Sequence, residues 1–252
     1  MTDGSRMKTD VLGVKFDNVA IEQAVALAYD IISGTNEKTY IVTPNPEIVW
    51  MARRNDDLKT ALSCAGLVLP DGVGIIIGAK ILGTPISEGR VPGIDFAEAL
   101  FTKMSQFGGS IYLFGAKPGV AERAGLLLEQ RYLGLTIAGF SDGYYDDEER
   151  IINSINTVSP DVLLVCLGSP KQELWMRDNI SRLNVRVCIG LGGSLDVFAG
   201  NVKRAPVVFR KAGLEWLYRL FREPRRIIRM LKLPLFLLLT IWHRLSGKAE
   251  QS

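Results

Sequence analysis

The usual proton carrier is almost missing: His243, close to the C-terminus, is the only histidine in 252 residues. Acid–base chemistry therefore falls on carboxylates unless that one imidazole serves. Cysteine is scarce as well. Cys64, Cys166 and Cys188 lie in apolar, strand-like runs without metal-ligand spacing. They read as reduced core residues of a cytosolic protein, which excludes a disulfide frame. The sequence has no D-x-D, "GYYDDEE" included, and no His/Cys/acid cluster. No structural metal, no obligatory divalent cation and no cofactor is expected. A G-x-G-x-x-G is also missing, since "FGAKPG" has another spacing and no suitably placed acid after it, so a dinucleotide site is weakly supported. The uncharged run Leu233–Trp242 is shorter than the ~20 residues that span a bilayer. No signal peptide is read, and "MTDGSR" is set aside as a tip outside the fold.

Apolar residues make up 47% of the chain and charged residues 23%, the balance of a globular protein able to bury a full core. The formal net charge of +3 conceals an asymmetry. Residues 201–252 hold 12 Lys+Arg against 3 Asp+Glu, whereas residues 1–200 hold 18 against 24. A terminal fifth at +9 beside a body at −6 implies an anionic partner for that fifth. No nucleic-acid partner is expected.

The body alternates apolar strands with helical patterns: "YIVTPNPEIV", "AGLVLPDGVGIIIGAKIL", "GSIYLFGAKPGVAERAGLLLEQRY", "LTIAGFSDGYY" with "DDEERIINSINTV", "DVLLVCLGSPKQELWMRDNISRL" and "VRVCIGLGGSLDVFAG". Strands apolar on both faces, interleaved with amphipathic helices, predict an α/β fold with a mostly parallel sheet covered on two sides. Ligands of such folds bind beyond the carboxyl ends of the strands. The polar clusters "TPN", "PDG", "FGAKPG", "GSPKQE" and "GLGGSLD" all fall there, which points to one shared site.

Each cluster also has a plain structural explanation. Asp71 in "LPDGVG" reads locally as a helix N-cap, or else as a carboxylate whose apolar flanks raise its pKa enough for a base. Thr43 and Asn45 either cap the helix begun by Pro46 or hydrogen-bond a sugar. Gly115 of "FGAKPG", and Gly192 and Gly193 with Asp196 of "GLGGSLD", offer tight turns or a backbone cradle for a diphosphate or ribose. Lys171, Gln172 and Glu173 open a helix, where capping and solvation are common fates. Arg219, Arg222, Arg226 and Arg229 follow a 3-4-3 spacing supported by Arg225. Guanidinium groups in that pattern suit bidentate phosphate binding better than a solvated face. Trp216, Tyr218 and Phe221 beside them suit a membrane boundary. Pro224 and Pro234 predict two or three short helices in place of one long one.

In order, "TPNPEIV", "LPDGVG", "GRVPGID", "GSPKQE", "GLGGSLDVFAGNVKRAP" and "GLEWLYRLFREPRR" resemble the WecG/TagA/CpsF family, glycosyltransferase family 26, from about residue 10 to 235. The resemblance implies a Rossmann-like core over residues 7–200 and a basic helical appendage over 201–252 that docks on the membrane. It implies metal-independent inverting transfer of an N-acetylmannosamine-type sugar from a UDP donor to a polyprenyl-diphosphate-linked sugar, usually GlcNAc, in teichoic acid or surface polysaccharide synthesis. Asp71 then matches the general base, Thr43 and Asn45 the strand-end polar pair, Arg90 the arginine of "GRVPGID" and Gln172 the glutamine of "PKQE". The arginines around 219–226 match those that reach the diphosphate. Pro92 departs from the Thr or Ala of other members, and "SDGYY", with Tyr144, lies in a variable stretch bearing on the donor. The implied place is the cytoplasmic face of the membrane, peripherally bound to an anionic surface, with a homo-oligomer left open. An NAD-dependent oxidoreductase and a non-catalytic nucleotide- or lipid-binding regulator are the alternatives.

Overall fold

The computed structural model describes residues 6–34, 38–222 and 232–249. β1 (Lys8–Val11) and β2 (Val14–Asp17) form an antiparallel hairpin that the strand–helix reading passed over. Its strands of four residues each are too short for a period-2 signal to stand out. The other six strands make one sheet: β3 (Thr39–Val42), β4 (Leu67–Val68), β5 (Ser110–Gly115), β6 (Thr136–Ser141), β7 (Val162–Cys166) and β8 (Val187–Gly190). Their order is β4-β3-β8-β7-β5-β6, and every neighbouring pair is parallel. The expected α/β class is therefore what the chain adopts.

Helices cover both faces. They are α1 (Ile21–Ser33), α2 (Pro46–Ala52), α3 (Asp56–Ser63), α4 (Val73–Leu82), α5 (Gly93–Ser105), α6 (Val120–Arg131), α7 (Glu148–Val158), α8 (Lys171–Asn179), α9 (Ser194–Phe198), α10 (Val207–Lys211), α11 (Glu215–Arg222) and α12 (Lys232–Ala249). The two-residue period of β7 divides the core. Val162 and Leu164 pack with α1, α5 and α6, whereas Leu163 and Val165 pack with α2, α3, α7 and α8. All five β7 residues are buried, as the unbroken apolar run predicts. β6 differs: it lies at the sheet edge with one neighbour, none of its residues is buried, and Phe140 is exposed.

Two expectations fail. Cys64 is exposed and ends α3, because the buried apolar run starts one residue later at Ala65. Cys166 and Cys188 are buried, and desolvation pushes the Cys166 thiol up to about 12 and raises Cys188 too. The terminal segment also contains a helix of 18 residues that runs through Pro234. Pro234 is the third residue of α12, and an N–H in the first turn has no intrahelical acceptor to lose. Pro224 lies outside the described residues.

α12 returns to the core and packs on α4 and α2. Phe236 is completely buried there, over Gly78 of α4. A Cβ at Gly78 would stand 2.8 Å from the Phe236 ring, so only glycine lets the two helices approach this closely.

Candidate active site

A cavity of about 370 Å³ opens beyond the carboxyl ends of four adjacent strands. Asp71 follows β4, Thr43 and Asn45 follow β3, Gly192 and Gly193 follow β8, and Gln172 stands on α8 after β7; all line it. Arg90, just before α5, lines it as well. The five residues matched to catalytic roles thus come from four separate stretches of the chain and meet in one place.

Each is held by its own local chemistry. Asn45 is the N-cap of α2 and accepts from the Ile48 N–H at 3.1 Å, so the capping explanation holds for it while it still faces the cavity. Thr43 Oγ1 donates to the Gly190 carbonyl at 3.3 Å, which ties the β3 end to the β8 end. Asp71 is half-buried and donates its N–H to the Pro44 carbonyl at 3.3 Å. The position that starts α4 is Gly72, at φ +89°, a backbone conformation that suits glycine. The carboxylate therefore stands one residue before the cap, between the end of β4 and the helix.

Gln172 is buried and engaged from both sides. Its Oε1 accepts from the Gly192 N–H at 2.9 Å, and its Nε2 donates to Glu173 Oε1 at 2.9 Å. That oxygen also accepts from Ser169 Oγ at 2.7 Å, while Glu173 Oε2 is buried without a partner among the described residues. Burial raises the Glu173 pKa, against the opposing effect of the two side-chain donors. The amide has one consistent orientation, because Gly192 offers a hydrogen and Glu173 Oε1 a lone pair.

Other candidates stand elsewhere. Glu173 supports Gln172 from behind and does not line the cavity. Lys171 is exposed, its Nζ 4.5 Å from the Tyr145 ring centroid. Asp196 lies within α9 and accepts from Asn201 Nδ2 at 3.4 Å. Gly115 ends β5 opposite Cys166, and Tyr144, which is exposed, follows β6; neither strand end contributes to the cavity. Arg219 and Arg222 are in α11, but their side chains, like all of Arg225, Arg226 and Arg229, lie outside the described residues.

The terminal segment nevertheless supplies a wall of the cavity: Gly213, Glu215, Trp216 and Leu233. Trp216, read from its neighbours as a membrane-boundary residue, faces this cavity. Tyr218 pairs with Phe209 at a centroid distance of 5.7 Å, and only Phe221 of the three is strongly exposed. Arg204, Glu47 and Glu215 are charged cavity residues that the sequence reading did not single out. Arg204 lies inside the quoted "NVKRAP" stretch, which was its available signal. It bonds Asp95 at 2.5 Å and Glu98 at 3.2 Å, and its Nε is buried without a partner among the described residues. Arg90 donates to the Arg210 carbonyl, and Lys232 Nζ lies 2.8 Å from Glu47. Guanidinium and ammonium groups thus fasten the terminal wall to the core.

The site therefore combines three carboxylates, two guanidinium groups, a fixed amide and an indole in one cleft. That set can deprotonate a hydroxyl, hold anionic groups and lie against a sugar face.

The chain is 38% identical over 214 residues to the N-acetylglucosaminyldiphosphoundecaprenol N-acetyl-beta-D-mannosaminyltransferase of Bacillus spizizenii, covering 84% of this chain and 83% of that one. It is 34% identical over 232 residues to the protein of the same name from Staphylococcus aureus (strain MRSA252), covering 91% of each. Residues 9–250 match the description Glycosyl transferase WecG/TagA/CpsF family. With that match running through the strand-end cavity and its terminal wall, the chain belongs to the WecG/TagA/CpsF family of glycosyltransferases.

Proposed function

We propose that the protein transfers an N-acetylmannosamine-type sugar from a UDP donor to GlcNAc carried on a polyprenyl diphosphate, with inversion and without a metal. The observation that carries this reading is the meeting of Asp71, Thr43, Asn45, Arg90 and Gln172 in one strand-end cavity, in a chain whose relatives bear the name of that reaction.

Asp71 takes the proton of the acceptor hydroxyl as its oxygen attacks the anomeric carbon. The new C–O bond forms as the bond to the UDP phosphate oxygen breaks, and the electron pair leaves with UDP. Arg90 and the arginines of the terminal segment counter the diphosphate charge. Gln172 keeps the loop after β8 in register and presents its remaining polar capacity to the sugar.

The membrane-facing part of the reading rests on α12. Leu235, Leu238, Trp242 and Leu245 are exposed and follow a 3-4-3 spacing on one side, whereas Phe236 and Thr240 are buried on the other. No helix among the described residues is long and apolar enough to cross a membrane. An exposed apolar stripe on such a helix fits the interfacial plane of a bilayer, and we place it on the cytoplasmic leaflet beside the lipid-linked acceptor.

The test is UDP release from a panel of UDP-sugars with a polyprenyl-diphosphate-GlcNAc analogue, with and without EDTA. Turnover with UDP-N-acetylmannosamine that persists in EDTA supports the reading. Turnover only with another donor overturns the sugar assignment, and loss in EDTA overturns the metal-free mechanism.

A further inference from the structure

A second hollow, of about 330 Å³, opens between the β1–β2 turn, the α2–α3 junction and α12. Leu12 lies on one side, with Arg53, Asp56, Lys59 and His243 around the rest. Arg53 and Lys59 flank the α2–α3 junction, His243 comes from α12, and all three are exposed. Their side chains have no hydrogen bond or ion pair with a described residue. Basic residues nearby are instead engaged: Lys232 by Glu47, Arg244 by the Leu82 carbonyl and Arg177 by Asp57 and Asp178. Two permanent cations and an imidazole face a single carboxylate, so the hollow suits an anion.

Its position indicates which anion. Leu233, at the start of α12, lines the catalytic cavity, and His243 lines this hollow. Ten residues of helix separate them, about 15 Å at 1.5 Å per residue. The exposed apolar face of α12 runs between, with Trp242 next to His243. A helix lying in the interface with that face in the acyl boundary carries its flanks at headgroup depth. We infer that the hollow takes the phosphodiester headgroup of an anionic phospholipid, seating α12 at one end while the other serves the lipid-linked acceptor. The inference rests on the membrane reading above.

The test uses the full chain with phosphatidylcholine vesicles, with or without phosphatidylglycerol, and two charge-matched double variants. One is Arg53→Gln with Lys59→Gln. The other is Lys117→Gln with Arg123→Gln, which alters exposed cations around the start of α6, toward the opposite edge of the sheet. The first should bind phosphatidylglycerol vesicles roughly 30-fold more weakly than the unmodified chain, given two lost headgroup contacts. The second should bind nearly as the unmodified chain does, and both should keep its unfolding temperature. Equal losses in the two variants would reduce the effect to general charge and overturn the site, as would unchanged binding of the first. If glycerol 3-phosphate raises the unfolding temperature through Arg53 and Lys59 while vesicle binding ignores them, the hollow serves a free phosphate ester and the lipid assignment falls. If the unmodified chain binds neither vesicle, the membrane reading itself fails.

Discussion

The two walls of the strand-end cavity are built by different chemistry. The inner wall consists of strand ends and helix starts tied by hydrogen bonds: Thr43 on the Gly190 carbonyl, Asn45 on the Ile48 N–H, and Gln172 between Gly192 and Glu173. The outer wall belongs to the terminal segment and is joined to the core by charged side chains and one aromatic plug. Arg204 meets Asp95 and Glu98, Arg90 meets the Arg210 carbonyl, Lys232 meets Glu47, and Phe236 sits over Gly78. Hydrogen bonds to backbone and amide groups fix a direction, whereas ion pairs between partly exposed side chains are weaker and screened by salt. The inner wall is thus suited to fixing side-chain positions, whereas the outer wall is joined to the core by contacts that salt weakens.

The sharpest way to break this division is Asp71→Asn. Transfer should fall about 10²–10⁴-fold, the usual contribution of a positioned base, while UDP binding measured by calorimetry is kept. Near-normal turnover would remove Asp71 from its role. Next, Phe236→Ala should lower unfolding stability by about 3–5 kcal/mol by emptying a fully buried site. Proteolysis should show the damage in α12 first, and equal damage across the sheet would contradict separate walls. Gln172→Ala should cost about 1–2 kcal/mol, because it strips partners from the Gly192 N–H and from Glu173. Faster hydrogen exchange at Gly192 is its signature.

Glu173→Gln tests the support behind the inner wall. The Glu173 pKa is raised by burial, so its contribution to stability is complete below the ordinary carboxylate value near 4.5 and is lost as pH rises through the folded value. Glutamine cannot ionise, so the variant should lose that part of the pH slope in denaturant titrations while still accepting from Ser169 and Gln172. An unchanged slope would mean that Glu173 does not titrate this way. The smallest effect belongs to Lys232→Ala, at most about 1 kcal/mol for a partly exposed pair. That small loss should vanish in high salt, whereas the inner-wall effects should not.

Much of the inner wall was legible before any coordinates. Unbroken apolar runs such as "VLLVC" mark strands buried on both faces, and ligands gather at the carboxyl ends of parallel strands. Residues 43, 45, 71, 172 and 192 could be placed together on that basis. Gly115 and Tyr144 could not be separated from them, because nothing local reveals that β5 and β6 occupy the far side of the sheet. Glu173 looked like one more polar residue of a helix start. Its neighbour Gln172 faces the cavity while Glu173 is turned inward, a distinction of one helical step that depends on how α8 is rotated.

The terminal fifth shows the same boundary more strongly. Its charge and its aromatics follow from composition alone. The sequence by itself determined the layered α/β class, the strand-end position of the candidate residues and the basic character of the tail, because periodicity and strand polarity are local properties. Tertiary structure alone decided that Trp216 faces the cavity, that Arg204 joins the site, and that Pro234 begins a long helix closed down on Gly78. Those outcomes depend on contacts between residues tens to more than a hundred positions apart, and no local pattern encodes which distant surface a side chain will meet.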